Sequence, residues 1–323
     1  MHTKEQAIKL MNEWGGQQLP FFFMIDFELQ NPAVYLLDEL PNTISFDING
    51  LQKNVPEETL PSSFTFEPKP INFKVYKKAF DQVIGELNYG NSYLLNLTFP
   101  TALKTNLDLR SIFCRSNASY KLLVKNKFVV FSPEAFVKIK NGKISSFPMK
   151  GTIDASISGA KEQILNDPKE KAEHATIVDL IRNDLSKVAT NVRLSNYRYV
   201  EEVHTSRKSL LQVSSKIEGE LPLNYRNKLG DIIFSLLPAG SISGAPKTKT
   251  IEILKNAEQE NRGWFTGIMG IFNGSTLDSG VMIRFVEQKN DKLVFRSGGG
   301  ITSQSDTHTE FQELLDKVYV PFN

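Results

Sequence analysis

The chain has a single cysteine, Cys114, among its 323 residues. No intrachain disulfide can form, and a reducing, cytoplasmic setting is the expectation. Long apolar runs are also missing. The longest, such as residues 19–25, fall far short of the ~20 residues that a bilayer-spanning helix needs, so no membrane span is expected. The first twelve residues are polar and contain no apolar leader segment, so no secretory signal is read there. Net charge is nearly absent: 38 basic side chains against 36 acidic ones leave +2. That balance offers no electrostatic footprint for nucleic acid or an anionic membrane surface. There is no internal repeat and no low-complexity tract. What remains is ordinary globular composition, 40% hydrophobic and 23% charged, enough for a sizeable core.

The first half reads as β-rich. Residues 19–27 form an apolar, aromatic run suited to a buried strand. Residues 49–70 carry four prolines and read as an exposed connection. Apolar residues at helical spacing predict a helix over 73–88. Short strands are expected at 122–125, 128–131, 135–140 and 143–147, with Asn141-Gly142 as a hairpin turn; together they read as an antiparallel meander. In the second half, Asp167-Pro168 starts a helix running to about 186. Strands are expected at 192–203, 209–220, 264–272, 279–288 and 292–297, and helices at 225–236, 246–258 and 309–318. The architecture expected is α+β, in one unit with long antiparallel strands.

Several groups of residues could carry chemistry. Glu170 and Glu173 are three apart on one helix, and Glu310 and Glu313 are three apart on another, so each pair shares a face. Four carboxylates suit a hard, oxygen-seeking cation such as Mg²⁺. Glu310 could equally close a capping box with Thr307, and Glu170 could simply offset a helix dipole. Pro238-Ala-Gly-Ser-Ile-Ser-Gly-Ala-Pro-Lys247 is a small-residue loop opening into a helix at Pro246, a natural anion site. It is not a nucleotide-binding P-loop, because Ala245 and Pro246 interrupt the required Gly-Lys-Thr order. Gly298, Gly299 and Gly300 allow backbone to approach a ligand closely. Arg284, in a strand read over 281–286, could grip a carboxylate in bidentate fashion or form a structural ion pair. Lys150 precedes Gly151 at a strand end and could serve as nucleophile or base if desolvation lowers its pKa.

Taken in order, Ser132-Pro-Glu134, Met149-Lys-Gly-Thr152, Glu173-His-Ala-Thr-Ile-Val-Asp-Leu-Ile-Arg-Asn-Asp184, Gly240 to Lys247, Gly298-Gly-Gly-Ile301 and Glu310-Phe-Gln-Glu313 resemble the chorismate-utilising enzymes. That family includes the anthranilate, aminodeoxychorismate, isochorismate and salicylate synthases. The resemblance covers about residues 70–320. It implies two large antiparallel sheets packed face to face with helices outside, residues 71–323 forming the catalytic core of a single chorismate-binding domain, and residues 1–70 a shortened N-terminal part. It implies Mg²⁺ held by Glu173 and Glu313, with Glu170 and Glu310 acting partly through water. Arg284, Ser241, Ser243, Gly244, Lys247, Phe265 and the backbone of Gly298, Gly299 and Gly300 would then bind chorismate.

Within that family the resemblance points to aminodeoxychorismate synthase component I. Isochorismate and salicylate synthases have a catalytic lysine near the position of Leu94, and anthranilate synthases have alanine in place of Lys150 and tyrosine in place of Phe265. In aminodeoxychorismate synthases a lysine at the position of Lys150 attacks C2 of chorismate. Thr152 and Gln212 are the other expected catalytic positions. Gln212 stands where the family usually has histidine, and glutamine can hydrogen-bond a leaving hydroxyl without protonating it. Ile153 and Asp154 replace the usual arginine after Gly-Thr. A glutamine amidotransferase subunit supplying ammonia is an expected partner, since Cys114 lies in no nucleophile-elbow context.

Overall fold

The computed structural model describes residues 1–57, 64–204, 209–258 and 260–321. Two nine-stranded antiparallel sheets dominate the described residues. The first runs in the order Met149–Asp154, Ser209–Glu220, Lys143–Ser146, Ala135–Lys140, Leu277–Val281, Ile268–Phe272, Phe21–Ile25, Ala33–Leu36, with Thr190–His204 also paired to Ser209–Glu220. The second runs Gly244–Ala245, Leu94–Thr105, Lys292–Ile301, Phe285–Lys289, Phe128–Ser132, Tyr120–Val124, Ile44–Ile48, Leu51–Lys53, with Phe66–Lys69 added beside Leu94–Thr105.

Side-chain alternation explains why so many strands are buried on both faces. In Phe21–Ile25, Phe22 and Met24 point between the sheets, toward Phe46, Leu122, Val130 and Phe285. Phe21, Phe23 and Ile25 point the other way, into a core shared with Met11, Ile181 and Ile233 from covering helices. The second sheet splits in the same way. Leu122 and Val130 face inward, while Leu123, Val129 and Phe131 pack on Ile112 and Phe113 of the Leu109–Arg115 helix. Helices Phe73–Asn88, Lys247–Glu258 and Thr307–Asp316 cover another outer part of that sheet through Tyr76, Phe80, Leu254 and Leu314. A period of two therefore divides one apolar run between two cores. The expected α+β fold of two face-to-face antiparallel sheets with outer helices is what the chain forms.

Residues before 71 are woven into both sheets: Phe21–Ile25 lies inside the first and Ile44–Ile48 inside the second. Within the proline-rich connection, residues 58–63 lie outside the described residues, and Leu51–Lys53 and Phe66–Lys69 on either side are short strands.

Two expectations need correction. The strands at 120–147 are not one meander. Phe128–Ser132 belongs to the second sheet and Ala135–Lys140 to the first, so the chain changes sheet at Pro133-Glu134. Likewise the strand expected over 279–288 is two, Leu277–Val281 and Phe285–Lys289, in different sheets. Arg284 is therefore not within a strand; it sits at the crossing with φ of 51°. The two crossings run side by side, the Phe131 amide donating to the Arg284 carbonyl and the Val281 amide to the Glu134 carbonyl, each at 3.0 Å. Cross-strand sterics cannot be read from one strand's periodicity, so a change of sheet inside an unbroken apolar run is invisible to it.

Candidate active site

Where the paired strands leave one sheet for the other, they open a cavity of about 660 Å³. Its wall includes Glu134 and Arg284 from the two crossings, and Lys150 and Thr152 from Met149–Asp154. Glu170 and Glu173 come from the Pro168–Leu185 helix, and Glu313 and Lys317 from the last helix and the residue that caps it. Ser241, Ser243, Gly244, Phe265, Gly298 and Gly300 also line it.

Local sequence sets these positions. Asp167 caps the Pro168–Leu185 helix by accepting from the Glu170 amide at 2.9 Å, and Pro168 takes the first turn. Buried His174 ties that helix to the neighbouring strand through Ser215 Oγ at 2.7 Å; burial lowers its pKa to about 4, so it is neutral near pH 7. Asp306, not Thr307, caps the closing helix, by accepting from the Thr309 amide. Glu310 instead accepts from Ser305 Oγ at 2.7 Å and is only 1% exposed. The capping-box alternative for Glu310 is thus excluded.

The three glycines belong to the Lys292–Ile301 strand rather than a turn. A Cβ on Gly300 would lie 2.9 Å from Lys150 Nζ, so the lysine amine lies directly over that backbone. A Cβ on Gly299 would lie 3.6 Å from Glu310 Oε2 and 3.7 Å from Glu313 Oε1, which puts the second carboxylate pair beside this stretch. Gly244 has φ of 131° and packs against the Leu94 carbonyl so closely that no side chain fits.

Charge inside the cavity is mixed. Lys150 Nζ is 3.0 Å from Glu173 Oε2. Burial pulls the Lys150 pKa down, but the carboxylates of Glu173, Glu313 and Glu170 outweigh it and the net shift is upward. The carboxylates here favour the ammonium form, so the condition set for a nucleophilic Lys150, a pKa lowered by desolvation, is not met in this arrangement. Lys317 pairs with Glu313 at 2.6 Å and donates to the Gly298 carbonyl at 2.9 Å; its pKa is lowered by burial. Arg284 donates to the Lys317 carbonyl at 2.5 Å and lies 4.6 Å over the Tyr319 ring. Glu134 accepts from Ser241 Oγ at 2.5 Å, and burial raises its pKa against the pull of Ser241, Lys150 and Lys317. A carboxyl so placed can hold a proton and deliver it.

Among the described residues, no three ligating side chains lie close enough to share one metal ion. Glu173 and Glu313 each grip a lysine instead. Three of the four expected donors, Glu170, Glu173 and Glu313, line the cavity and offer the carboxylate oxygen that Mg²⁺ takes, with Glu310 buried beside Gly299. Glu170 is raised first by burial and then by the charge of Glu173, a sign of crowded negative charge that a cation would relieve.

Four expected site residues are absent from the cavity wall: Gly299 and Glu310, which lie beside Glu313, and Lys247 and Gln212. Lys247 does not reach the cavity; its ammonium is held by Asp184 at 2.5 Å and the Leu236 carbonyl at 2.8 Å. Gln212 pairs directly with Thr152 across the sheet, but its amide turns to the Met149 sulfur at 2.8 Å and is absent from the wall. Conversely, Glu134 and Lys317 were given no chemical part from sequence. Glu134 was visible only as a motif member, and Lys317 only through its i,i+4 spacing from Glu313.

The model of the chorismate binding enzyme family matches residues 23–322. The chain belongs to the chorismate-binding enzymes. An "uncharacterized PabA-like protein" of Haemophilus influenzae is 48% identical over 99% of this chain and 97% of its own length. Aminodeoxychorismate synthase component 1 of Klebsiella aerogenes is 30% identical over 75% of this chain, which spans 56% of that longer protein. Among solved structures, an isochorismate synthase from Bacillus anthracis shares the fold, with a TM-score of 0.76 at 20% identity, covering 98% of this chain and 88% of that one. This chorismate-binding chain contains no helix among its described residues long and apolar enough to cross a membrane.

Proposed function

We propose that the protein is an aminodeoxychorismate synthase, converting chorismate and ammonia to 4-amino-4-deoxychorismate and water in the cytoplasm, on the route to 4-aminobenzoate and folate. The observation that carries this reading is the Lys150 amine, held over Gly300 in a cavity that also contains Glu134, whose pKa burial raises. Leu94, buried on the same wall, offers no base to activate water for attack at C2.

Lys150 must first lose a proton, and Glu173 Oε2 is the acceptor within reach. The free amine then forms a bond to C2, the ring double bonds shift, and the C4–O bond breaks. Glu134 supplies the proton that makes the departing hydroxyl water. Ammonia next bonds to C4, the double bonds shift back, and the C2–N bond to Lys150 breaks; Glu134 recovers its proton from the new ammonium. Arg284 and Lys317 offer the positive charge for a substrate carboxylate, with Ser241, Ser243 and the backbone of Gly298 to Gly300 completing the seat. Mg²⁺, bound by the glutamate pairs, would neutralise the ring carboxylate during this charge movement. Ammonia is proposed to come from a glutamine amidotransferase partner, and ammonium salts should replace it.

Purified protein incubated with chorismate, Mg²⁺ and ammonium should yield 4-amino-4-deoxychorismate, and 4-aminobenzoate once a downstream lyase is added. Anthranilate with loss of pyruvate would show the neighbouring activity instead. Lys150→Ala should abolish product; near-normal turnover by that variant removes the covalent step.

A further inference from the structure

Residues 236–247 form a loop whose two ends are joined by one ammonium. Lys247 Nζ donates to the Leu236 carbonyl at 2.8 Å and pairs with Asp184 Oδ2 at 2.5 Å. Asp184 Oδ1 also holds Lys187 at 2.8 Å. Mid-loop, Gly240 lies so close that a Cβ there would be 3.2 Å from Asp184 Oδ2. The next residue, Ser241, donates to Glu134 Oε1.

The underside of this loop is not solidly packed. A second cavity, about 30 Å³, lies between Asp184 and Glu134 and is lined by Phe136, Ile181 and Ser241 among others. That is room for a water-sized molecule. Close packing, which elsewhere fixes a backbone to a fraction of an ångström, is therefore interrupted beneath Ser241. Beyond Ser241 the segment is held by Arg262 on the Ile242 carbonyl and by the pairing of Gly244–Ala245 with Leu94 and Leu95; the ionic tie adds the link between its two ends.

We propose that Lys247, held by Asp184, is a positioning residue that closes the 236–247 loop end to end and so presents the Ser241 hydroxyl to the Glu134 carboxyl. The contact is structural; only its catalytic meaning rests on the function proposed above. The groups facing Glu134 are the Ser241 hydroxyl, Lys150, Lys317 and Arg284 across the main cavity, and Asp184 across the small one. Of these, Ser241 alone sits on the segment whose ends the tie joins. Its hydrogen bond favours the carboxylate form, so losing it raises the Glu134 pKa.

The test is a double-mutant cycle read by ¹³C NMR titration of glutamate-labelled full-length protein, with the Glu134 signal assigned through Glu134→Gln. Ser241→Ala should move the Glu134 titration to higher pH. Lys247→Met should move it by a similar amount, and the double variant no further than either single one. Asp184→Asn, which keeps the side-chain shape, should act in the same direction and serves if Lys247→Met does not fold. In the chorismate assay, kcat should fall by at least about tenfold, and the high-pH limb of its profile should shift upward. An unmoved Glu134 titration in the folded Lys247 or Asp184 variant, or additive shifts in the double variant, overturns the proposal. Wild-type protein that consumes no chorismate counts against the function above and leaves this NMR result to stand by itself.

Discussion

Burial and charge pull on Lys150 in opposite directions, and charge prevails because three carboxylates face it. The sequence located this lysine through its Met-Lys-Gly-Thr string, but the sign of its pKa shift depends on residues far away in the chain, which no local pattern reports. The same holds for Lys247: adjacent to a small-residue loop, it has the context of an anion ligand, yet its ammonium is spent on Asp184. The position of the Lys150 amine is tested most directly at Gly300. The Gly300 backbone does not require positive φ, so alanine is tolerated there, but its Cβ would crowd Lys150 Nζ at 2.9 Å and Leu94 Cδ1 at 3.3 Å. Gly300→Ala should lower kcat by about tenfold or more through misplacement of the reacting amine, with thermal melting little changed. Unaltered kcat would mean the amine is not confined there.

At the level of elements, helix starts were the clearest signals. Asp167-Pro168 predicted the helix that carries Glu170 and Glu173, and the structure begins it at Pro168. The residues 225–236 read as one helix are a short 3-10 turn, Tyr225–Lys228, followed by Leu229–Ser235. What could not be read was helix-to-helix distance. Gly230 lets that segment touch the Lys4–Gly16 helix so closely that a Cβ would stand 2.4 Å from the Ile8 carbonyl oxygen. Gly230→Ala should destabilise the fold by roughly 2 kcal/mol or more, seen in urea denaturation, while kcat per folded molecule stays at the wild-type value. Asp167→Ala should cost about 1 kcal/mol for the lost cap, and should reduce kcat as well, because the first turns of that helix carry the two glutamates. A variant that loses stability but keeps kcat would separate the cap from the site.

For the whole molecule, the Asn141-Gly142 turn and strands such as Ala135–Lys140 and Ser209–Glu220 were readable, while the Leu94–Thr105 strand and sheet membership were not. Residues 128–147 give the same alternation whether their strands share one sheet or divide between two. One inter-sheet contact shows how the two layers are matched. Tyr120 of the second sheet packs its ring over Gly280 of the first and donates to Asp278 Oδ1 at 2.8 Å. Burial, reinforced by the Asp278 charge, raises the Tyr120 pKa, so the phenol stays protonated as a donor. Tyr120→Phe should destabilise the protein by about 1–3 kcal/mol, the cost of leaving a carboxylate short of a buried donor. Lys138 and Asn49 also contact Asp278, which places the expectation at the lower end; denaturant titration gives the value.

The side-by-side crossings have a further bearing on how this chain can change. Glu134 and Arg284 ride on legs stitched together by two backbone hydrogen bonds. Adding one residue to the 132–135 leg alone would break the match of the Glu134 carbonyl with the Val281 amide and pull on the arginine's leg. Lengthening or shortening is therefore tolerable only when both legs change together. The acid and the guanidinium are geared as a pair, and their spacing is held by the two stitched legs together.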